Sequence, residues 1–210
     1  MLKIYQVPLG DYQTNCYVIT VDERCLIVDP GDEAHKIFTY IKSNNLIPVA
    51  ILLTHGHFDH IGALEEVKAK YDVPVYVHKR EVEFLQNPNV NLSIQAGRKA
   101  IEITDLTSYN IIESDCELNL MDVDFSVLHV PGHSPGSVAF YNKQDGVVIS
   151  GDALFKGSIG RTDLIYGDHN ELINSINTKL FILPADTIVY SGHGPATTIE
   201  EEMRTNPFFN

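Results

Sequence analysis

The chain has 210 residues, 44% of them hydrophobic, which is enough for a sizeable core and fits a single domain over residues 1–210. A formal net charge of −13 and an isoelectric point of about 5.0 argue against a general nucleic-acid binder, which needs a basic face to meet phosphates. A small anionic substrate stays compatible with this charge, because bound cations can invert the local field.

The cysteines and the N-terminus bear on the cellular compartment. Cys16, Cys25 and Cys116 form no CxxC pair, and we expect buried, reduced thiols, with a Cys16–Cys25 disulfide across a hairpin as the alternative. The N-terminal segment lacks a basic stretch followed by an apolar core, and no run approaches the length of a membrane span. We therefore expect a cytoplasmic protein with no membrane partner.

The first half of the chain predicts strands interleaved with helices. Apolar and β-branched runs predict strands over residues 2–7, 15–20, 25–29, 49–53 and 73–78. Apolar residues at helical spacing predict helices over residues 33–44, 60–71 and 79–85. Residues 86–115 have no strong period beyond one helical turn at 96–101. This segment is either a lid or substrate wall, or a plain surface excursion.

The second half is richer in strands. They are predicted over residues 117–120, 124–130, 137–142, 147–150 and 187–190, with a hairpin turn at 143–146. A glycine-rich loop over 153–167 precedes a helix over 168–180. Residues 198–201 have the form of a capping box for a short terminal helix.

Residues 54–60 contain the most informative pattern, Thr-His-Gly-His-Phe-Asp-His. His55, His57, Asp59 and His60 fall where a predicted strand ends and a predicted helix begins, so several side chains can be aimed at one point. Imidazole and carboxylate are ligands for borderline divalent ions such as zinc. Asp59 alone could be a helix cap, but capping does not explain three histidines beside it. The turn therefore predicts a metal site.

Four further motifs follow the same pattern of a polar residue after a strand or in a turn. These are Asp29 in Val-Asp-Pro-Gly, His133 in Pro-Gly-His-Ser-Pro-Gly, Asp152 in Ser-Gly-Asp and His193 in Ser-Gly-His-Gly. Together with the His-x-His-x-Asp-His turn, their order resembles the metallo-β-lactamase superfamily, and most closely its glyoxalase II-like hydrolases without the C-terminal glutathione-binding domain. The resemblance implies an α/β fold, a four-layer αββα sandwich. Alone, Asp29 could equally be a turn residue.

The resemblance also implies a division of the ligands between two divalent ions per chain. One ion takes His55, His57 and His133, the second takes Asp59, His60 and His193, and Asp152 bridges them. Asp29 becomes an outer-shell carboxylate. Zinc is the expected metal, with iron or manganese as alternatives. A bridging hydroxide of lowered pKa is the expected nucleophile, and Asp59 is the expected catalytic proton acceptor.

For the substrate, the resemblance implies a small-molecule thioester, such as a glutathione conjugate. A cation in the loop after Asp152 would meet the glutathione part, and Arg161 is a nearer match than Lys156. The alternative for Arg161 is a structural pair with Asp163. Only a short tail follows His193, so the specificity for glutathione is open, and other thioesters or lactones remain candidates.

The expected function is hydrolysis of a hydroxyacylglutathione-type thioester. The main alternative is a mononuclear iron persulfide dioxygenase, which shares the Gly-Arg-Thr-Asp loop at residues 160–163, and a lactonase or other ester hydrolase of the superfamily is a further one. A noncatalytic binding protein is disfavoured because no ligand position is lost. A β-lactamase is not preferred, and the acidic balance disfavours a nuclease. His78 and His129 are expected to be structural.

Overall fold

The computed structural model describes residues 1–209, which form two compact units, Met1–Ile112 and residues 113–209, with only the last residue left undescribed. Each unit is built on one six-stranded sheet. The mixed α/β class predicted from the sequence is confirmed.

Unit 1 contains a mixed sheet with strand order β1-β2-β3-β4-β5-β6. Its strands are β1 (Lys3–Leu9), β2 (Thr14–Val21), β3 (Arg24–Val28), β4 (Ile47–Leu52), β5 (Val75–His78) and β6 (Tyr109–Ile112). The first three strands are antiparallel neighbours, and β3 to β6 are parallel. Because parallel strands end at the same edge of a sheet, the residues that follow β3 and β4 are brought together.

Helices and a buried apolar cluster complete unit 1. The helices are α1 (Ala34–Ser43), α2 (Phe58–Ile61), α3 (Leu64–Tyr71) and α4 (Val82–Gln86), with a 3₁₀ segment at Lys79–Glu81. Ile37, Val67 and Leu85 contribute to the same core as the strands. This core fixes the position of the loops at the strand ends.

The single helix predicted over 60–71 is wrong, because the structure divides it into α2 and α3. The Ala63 amide donates to the Pro30 carbonyl at 2.9 Å instead of continuing the helical ladder. A Cβ at Gly62 would lie 2.2 Å from the Gly31 carbonyl oxygen, so only glycine allows this close approach. The break holds the histidine-rich turn (residues 54–60) against the loop after β3.

Unit 2 contains a sheet with strand order β14-β13-β10-β9-β8-β7 and a separate β11–β12 hairpin. The strands are β7 (Cys116–Leu120), β8 (Val123–His129), β9 (Val138–Asn142), β10 (Val147–Gly151), β11 (Leu154–Phe155), β12 (Ser158–Ile159), β13 (Ile188–Ser191) and β14 (Thr197–Thr198). Only the β10–β13 pair is parallel. The predicted hairpin at 143–146 joins β9 to β10 as expected.

Two helices pack in unit 2, α5 (His169–Ser175) and α6 (Ile199–Thr205). Asp168 caps α5 by accepting from the Glu171 amide at 2.9 Å. The predicted helix over 168–180 is α-helical only to Ser175 and continues as a π-helical segment, Ile176–Leu180. The predicted capping residue Thr198 accepts from the Glu201 amide at 3.2 Å and starts α6.

Two expectations about local structure need correction. Residues 96–101 form no helical turn, and the segment 86–115 contains an unpredicted strand, β6. Its short Tyr-Asn-Ile-Ile run lacks a strand pattern that stands out from the surrounding polar residues. Cys16 and Cys25 are buried and free as predicted, without the alternative disulfide, whereas Cys116 is exposed.

Candidate metal centre

In unit 1 the candidate ligands lie at the edge where the parallel strands β3 and β4 end. Asp29 follows β3 in a left-handed conformation (φ 50°) and is buried. One of its carboxylate oxygens accepts from the Thr54 amide at 2.8 Å, and the other accepts from the Thr54 hydroxyl at 2.6 Å. The carboxylate therefore clamps the first residue of the histidine-rich turn.

Asp29 and Thr54 also orient two histidines. His60 Nδ1 lies 2.9 Å from the Asp29 carboxylate and, facing an acceptor, carries the proton. Thr54 uses its hydroxyl hydrogen on Asp29, so its Oγ1 can accept from His55 Nδ1 at 3.1 Å. Both contacts assign the proton to Nδ1 and leave Nε2 as the lone-pair donor. Histidines that bind metals in proteins are fixed in the same way.

The remaining candidates of unit 1 are close by. His55 packs against both other histidines of the turn, with ring centroids 4.9 Å from His57 and 4.1 Å from His60. Asp59 Oδ2 accepts from the Thr14 hydroxyl at 2.7 Å and lies 3.7 Å from His60 Nε2. All three imidazoles are at least 97% buried, whereas Asp59 keeps partial exposure. Unit 1 thus gathers its four predicted ligands in one turn.

Two buried polar residues support the turn from behind. Glu81 is fully buried and accepts from the Gly56 amide at 2.7 Å. Asn91 is also fully buried, and its backbone carbonyl accepts from the Phe58 amide at 2.9 Å. Since buried polar groups are costly unless hydrogen-bonded, these contacts restrict the backbone on both sides of His57.

In unit 2 the candidates also follow strands that end at one edge. Asp152 comes directly after β10 and His193 comes shortly after its parallel neighbour β13. The Gly192 amide donates to the Gly151 carbonyl at 2.8 Å, which keeps the two turns in register. His133 lies in the β8–β9 loop at the same edge, because β8 and β10 run in the same direction on either side of β9.

Asp152 is the common neighbour of both histidines in unit 2. Its Oδ2 lies 3.5 Å from His133 Nε2 and 3.5 Å from His193 Nε2. His133 Nδ1 donates to the Arg161 carbonyl at 2.8 Å, so its Nε2 is again the lone-pair donor. One carboxylate facing two imidazoles is the arrangement expected of a bridging ligand.

Gly160 allows the loop after Asp152 to come this close. A Cβ on Gly160 would lie 1.8 Å from the Asp152 carbonyl oxygen and 3.1 Å from His133 Nδ1. Any larger residue would displace the loop that supplies the carbonyl partner of His133. The glycine is therefore required by the packing of the candidate site.

Arg161 forms the ion pair with Asp163 that was the structural alternative to binding a substrate. Its guanidinium forms a two-point ion pair with Asp163, at 2.9 and 3.0 Å, and both side chains are about 70% exposed. The hydrogen bond from Arg161 lowers the pKa of Asp163 and raises the pKa of Arg161 itself. Lys156 is exposed between β11 and β12. Exposed ion pairs contribute little stability, so a substrate carboxylate can compete for Arg161.

The two histidines predicted to be structural have local partners. His78 Nδ1 accepts from the Arg80 amide at 3.3 Å at the start of the 3₁₀ segment. His129 Nε2 lies 2.9 Å from the Pro135 carbonyl. Each histidine is used to hold the backbone of its own region.

Sequence reasoning missed four supporting residues, namely Thr14, Thr54, Glu81 and Asn91. Thr54 directly precedes the histidine-rich turn, so its position was a usable signal. Thr14, Glu81 and Asn91 lie far from the turn in the chain and carry no motif. Among residues 1–209, no helix is long and apolar enough to cross a membrane.

Comparison with known proteins finds a family whose sequence profile matches most of the chain. The sequence profile of the Metallo-beta-lactamase superfamily matches residues 9–193. "Probable metallo-hydrolase YqgX" of Bacillus subtilis (strain 168) is 50% identical, with 100% of this chain and 98% of the relative covered. "Hydroxyacylglutathione hydrolase GloC" of Haemophilus influenzae (strain ATCC 51907 / DSM 11121 / KW20 / Rd) is 39% identical, with 100% and 99% covered.

Two crystal structures are similar over nearly the whole chain. BLEG-1 B3 metallo-beta-lactamase is 46% identical with a TM-score of 0.94, and both chains are covered completely. TTHA1623 in a di-iron-bound form is 40% identical with a TM-score of 0.87, covering 97% of this chain and 99% of the other.

Proposed function

Because this chain belongs to the metallo-beta-lactamase superfamily of metal-binding hydrolases, we propose that it hydrolyses a small thioester to a carboxylic acid and a thiol with two divalent ions. The observation that carries the proposal is the donor set at the strand ends of each unit, with the Nδ1 atoms of His55, His60 and His133 already bonded to neighbouring groups.

The residues fit two borderline divalent ions. We propose that His55, His57 and His133 hold one ion, that Asp59, His60 and His193 hold the other, and that Asp152 bridges them. Imidazole nitrogens with carboxylate oxygens suit zinc, iron and manganese. Two divalent ions bring four positive charges, and two ligand carboxylates leave an excess that favours an anionic nucleophile. Zinc is the proposed native metal, although TTHA1623 was crystallised with two irons.

A metal pair of this kind would lower the pKa of a bound water towards about 7 and would polarise a carbonyl oxygen. Asp59 is the proposed proton acceptor, because its side chain is partly exposed and its Oδ2 is held by the Thr14 hydroxyl at 2.7 Å. Water adds to the thioester carbonyl and the carbon–sulfur bond breaks. One of the two water protons passes to the departing thiolate, and the other stays with the carboxylic acid. Asp29 keeps His60 oriented throughout.

We further propose that the loop after Asp152 meets the thiol part of the substrate. Arg161 would exchange Asp163 for a substrate carboxylate, since that pair is exposed, and Lys156 adds a second positive charge. The relative GloC, named a hydroxyacylglutathione hydrolase, supports a glutathione thioester as one substrate.

The experiment that tests this function is thioester hydrolysis by protein loaded separately with zinc, manganese and iron. S-lactoylglutathione and a simpler N-acetylcysteamine thioester should both release thiol without oxygen uptake, and elemental analysis should give two metals per chain. Asp152→Ala should lose activity and at least one metal. Arg161→Ala should raise KM for the glutathione thioester, with little change in kcat, because that contact is remote from the reacting carbonyl.

The possible outcomes of these measurements distinguish thioester hydrolysis by a dinuclear site from the alternative functions. At most one metal per chain in every loading would contradict the dinuclear site. Near-normal turnover of Asp152→Ala with two metals would show that the bridge is misassigned. Oxygen uptake with glutathione persulfide in the iron form alone, without thioester hydrolysis in any form, would favour the mononuclear iron dioxygenase.

A second candidate is β-lactam hydrolysis, favoured by the 46% identity to BLEG-1 B3 metallo-beta-lactamase. The same donors could serve there, because the reaction also adds water to an acyl carbon. The leaving group is then an amine. Its nitrogen must be protonated before it can leave, whereas a thiolate can leave as the anion. Nitrocefin hydrolysis at rates above the thioester rate would make this the primary activity, and a lactone panel tests ester hydrolysis in the same assay.

A further inference from the structure

We propose that Arg98 selects thioesters whose acyl group ends in a carboxylate, and that it binds this carboxylate in a cavity of unit 1 beside Asp59. The inference rests on the proposed function, in which the Arg161 loop takes the thiol part and leaves the acyl part without an assigned site. It adds a specificity-determining residue that the sequence patterns did not indicate.

The cavity has a volume of about 380 Å³, which suits a small ligand. Its walls come from the β1–β2 turn, from Gly31 and Asp32 after β3, from four residues between Phe58 and Glu65 that include Asp59, and from residues 98–103. Asp59 is the proposed proton acceptor and metal ligand. A group bound in this cavity therefore lies beside Asp59, in the same unit.

The wall made by residues 98–103 is tied to the metal-binding turn. The side-chain amide of Asn91 donates to the carbonyls of Phe84 and Ile101 at 2.8 and 2.9 Å. The backbone carbonyl of Asn91 accepts from the Phe58 amide. The Arg98 amide donates to the Ser93 carbonyl at 2.9 Å. These bonds hold the wall in place before a ligand arrives, which reduces the entropy cost of binding.

Apolar and aromatic side chains give the cavity a surface for a hydrocarbon chain. Leu9, Ile101 and Ile103 line it, and Tyr12 packs edge-on against Phe58 with ring centroids 5.0 Å apart. Such a lining favours an aliphatic acyl group over a strongly polar one.

Arg98 provides a positive charge at the cavity, and a substrate carboxylate can replace its ion-pair partner Asp11. Its Nη2 donates to Asp11 at 2.7 Å, and its guanidinium lies 6.0 Å from the Tyr12 ring centroid. The Asp11 side chain is 85% exposed and that of Arg98 is 35% exposed. An ion pair with so exposed a carboxylate contributes little, whereas the planar guanidinium can hold a substrate carboxylate with two hydrogen bonds.

The acidic residues of the walls are mostly engaged elsewhere. Asp32 accepts from the next backbone amide, Glu65 accepts from the Tyr109 hydroxyl at 3.3 Å, and Asp59 accepts from the Thr14 hydroxyl. Glu102, also in the lining, is exposed to solvent, which screens its charge. A carboxylate at the guanidinium therefore meets its main competition from Asp11.

The test compares two substrates that differ only in charge, the adipoyl and adipamoyl thioesters of N-acetylcysteamine. The variants are Arg98→Gln, Arg98→Lys, Asp11→Asn and the matched control Arg204→Gln, which breaks an exposed pair with Glu201 in unit 2. The measured quantity is the ratio of kcat/KM for the acid to that for the amide. Binding of the corresponding unreactive analogues, in which an NH replaces the thioester sulfur, is followed by calorimetry.

Arg98→Gln should lower the ratio about ten- to a hundredfold, because it removes a charged hydrogen bond to the carboxylate. Arg98→Lys should restore part of it, since the charge remains but the planar fork is lost. Asp11→Asn should raise the ratio about two- to fivefold, because it removes the competing carboxylate from a weak exposed pair. Arg204→Gln should leave the ratio unchanged.

The opposite directions of the Arg98 and Asp11 variants separate substrate binding from a structural role. If the pair only holds the β1–β2 turn, both variants lose the same contact and change both substrates alike, which would overturn the inference while the thioesterase proposal stands. If the wild type hydrolyses no thioester, the proposed function fails, and the binding preference for the acid analogue still decides the role of Arg98.

Discussion

Asp29 shows how one side chain serves both backbone and site. Its φ of 50° lies in the left-handed region, which asparagine and aspartate tolerate better than most residues. Its carboxylate accepts from the amide and hydroxyl of Thr54 and from His60 Nδ1. The two alternatives drawn from the sequence, a turn residue and an outer-shell carboxylate, are thus not exclusive in the observed contacts.

Asp29→Asn separates these two uses, because asparagine keeps the left-handed backbone but loses the negative charge that holds His60. We expect the metal-free protein to lose about 1–3 kcal/mol of stability, because the amide NH2 cannot accept the hydrogen bonds that the buried carboxylate accepts from Thr54 and His60. We also expect about 10–100-fold weaker binding of one metal, the range for removal of an outer-shell partner. Metal affinity is measured by competition with a chelator, and stability by urea unfolding.

The matched control for this prediction is Asp22→Asn. Asp22 also has a positive φ, 52°, but is exposed in the β2–β3 turn. The Asp22→Asn substitution should leave binding of both metals unchanged. Equal metal affinity in Asp29→Asn and wild type would show that Asp29 acts only on the backbone.

All seven proposed ligands could be selected from the sequence, because each stands in a short motif with glycine, proline or another ligand nearby. Their supporting partners could not. Glu81 bonds to Gly56 across 25 residues of chain, and Asp59 accepts from Thr14 across 45. Such contacts depend on how the strands and helices pack, and no local pattern encodes them.

At the scale of the elements, two glycines of the loop after β10 meet different steric requirements. Gly160 lies against the Asp152 carbonyl and His133. A Cβ on Gly157 in the same loop would meet no atom within 4 Å, and the φ of Gly157 is +69°. The two glycines therefore serve different purposes, close packing and backbone conformation.

Gly160→Ala should force the loop away from Asp152 and His133, with an overpacking cost of about 1–3 kcal/mol. Retained metal should fall together with the urea midpoint. Gly157→Ala, the control, should cost about 1 kcal/mol through its left-handed backbone and leave the metal content unchanged. A Gly160→Ala protein with full metal content and wild-type stability would refute the requirement for close packing.

The division of residues 60–71 into α2 and α3 is another case in which packing overrides local preference. The apolar spacing predicts one helix, but the Pro30 carbonyl takes the Ala63 amide, and Gly62 lets the Gly31 backbone approach. Segment 86–115 shows the converse. It lacks periodicity, yet Asn91 orders it through buried hydrogen bonds and part of it lines a cavity.

For the molecule as a whole, the buried thiols contribute to the dependence of stability on alkaline pH, together with the Tyr109 hydroxyl, whose pKa is also raised by burial. Burial raises the pKa of Cys25 from 9.0 to about 12 and raises that of Cys16 as well, with a smaller contribution from Asp29. Between these values the folded chain keeps the Cys25 proton while the unfolded chain has lost it. Stability therefore holds up to about pH 9 and falls as the pH rises towards 12.

This fall should appear in urea unfolding of reduced, metal-free protein from neutral to alkaline pH. Cys25→Ala should show a shallower decline, because the only proton difference removed is that of a buried thiol. Cys116→Ala is the control, since Cys116 is exposed and its pKa is raised less. Parallel declines in wild type and Cys25→Ala would mean that other groups cause the alkaline destabilisation.

By itself the sequence determined the α/β class, most strands and helices, the superfamily and the residues proposed to bind metal, because these depend on periodicities and motifs within short stretches. Tertiary structure decided which ring nitrogen of His55, His60 and His133 is available, which residues line the cavity beside Asp59, and where α2 ends. These properties arise from hydrogen bonds and close contacts between segments distant in the chain, whose energies exist only once the core has brought the segments together.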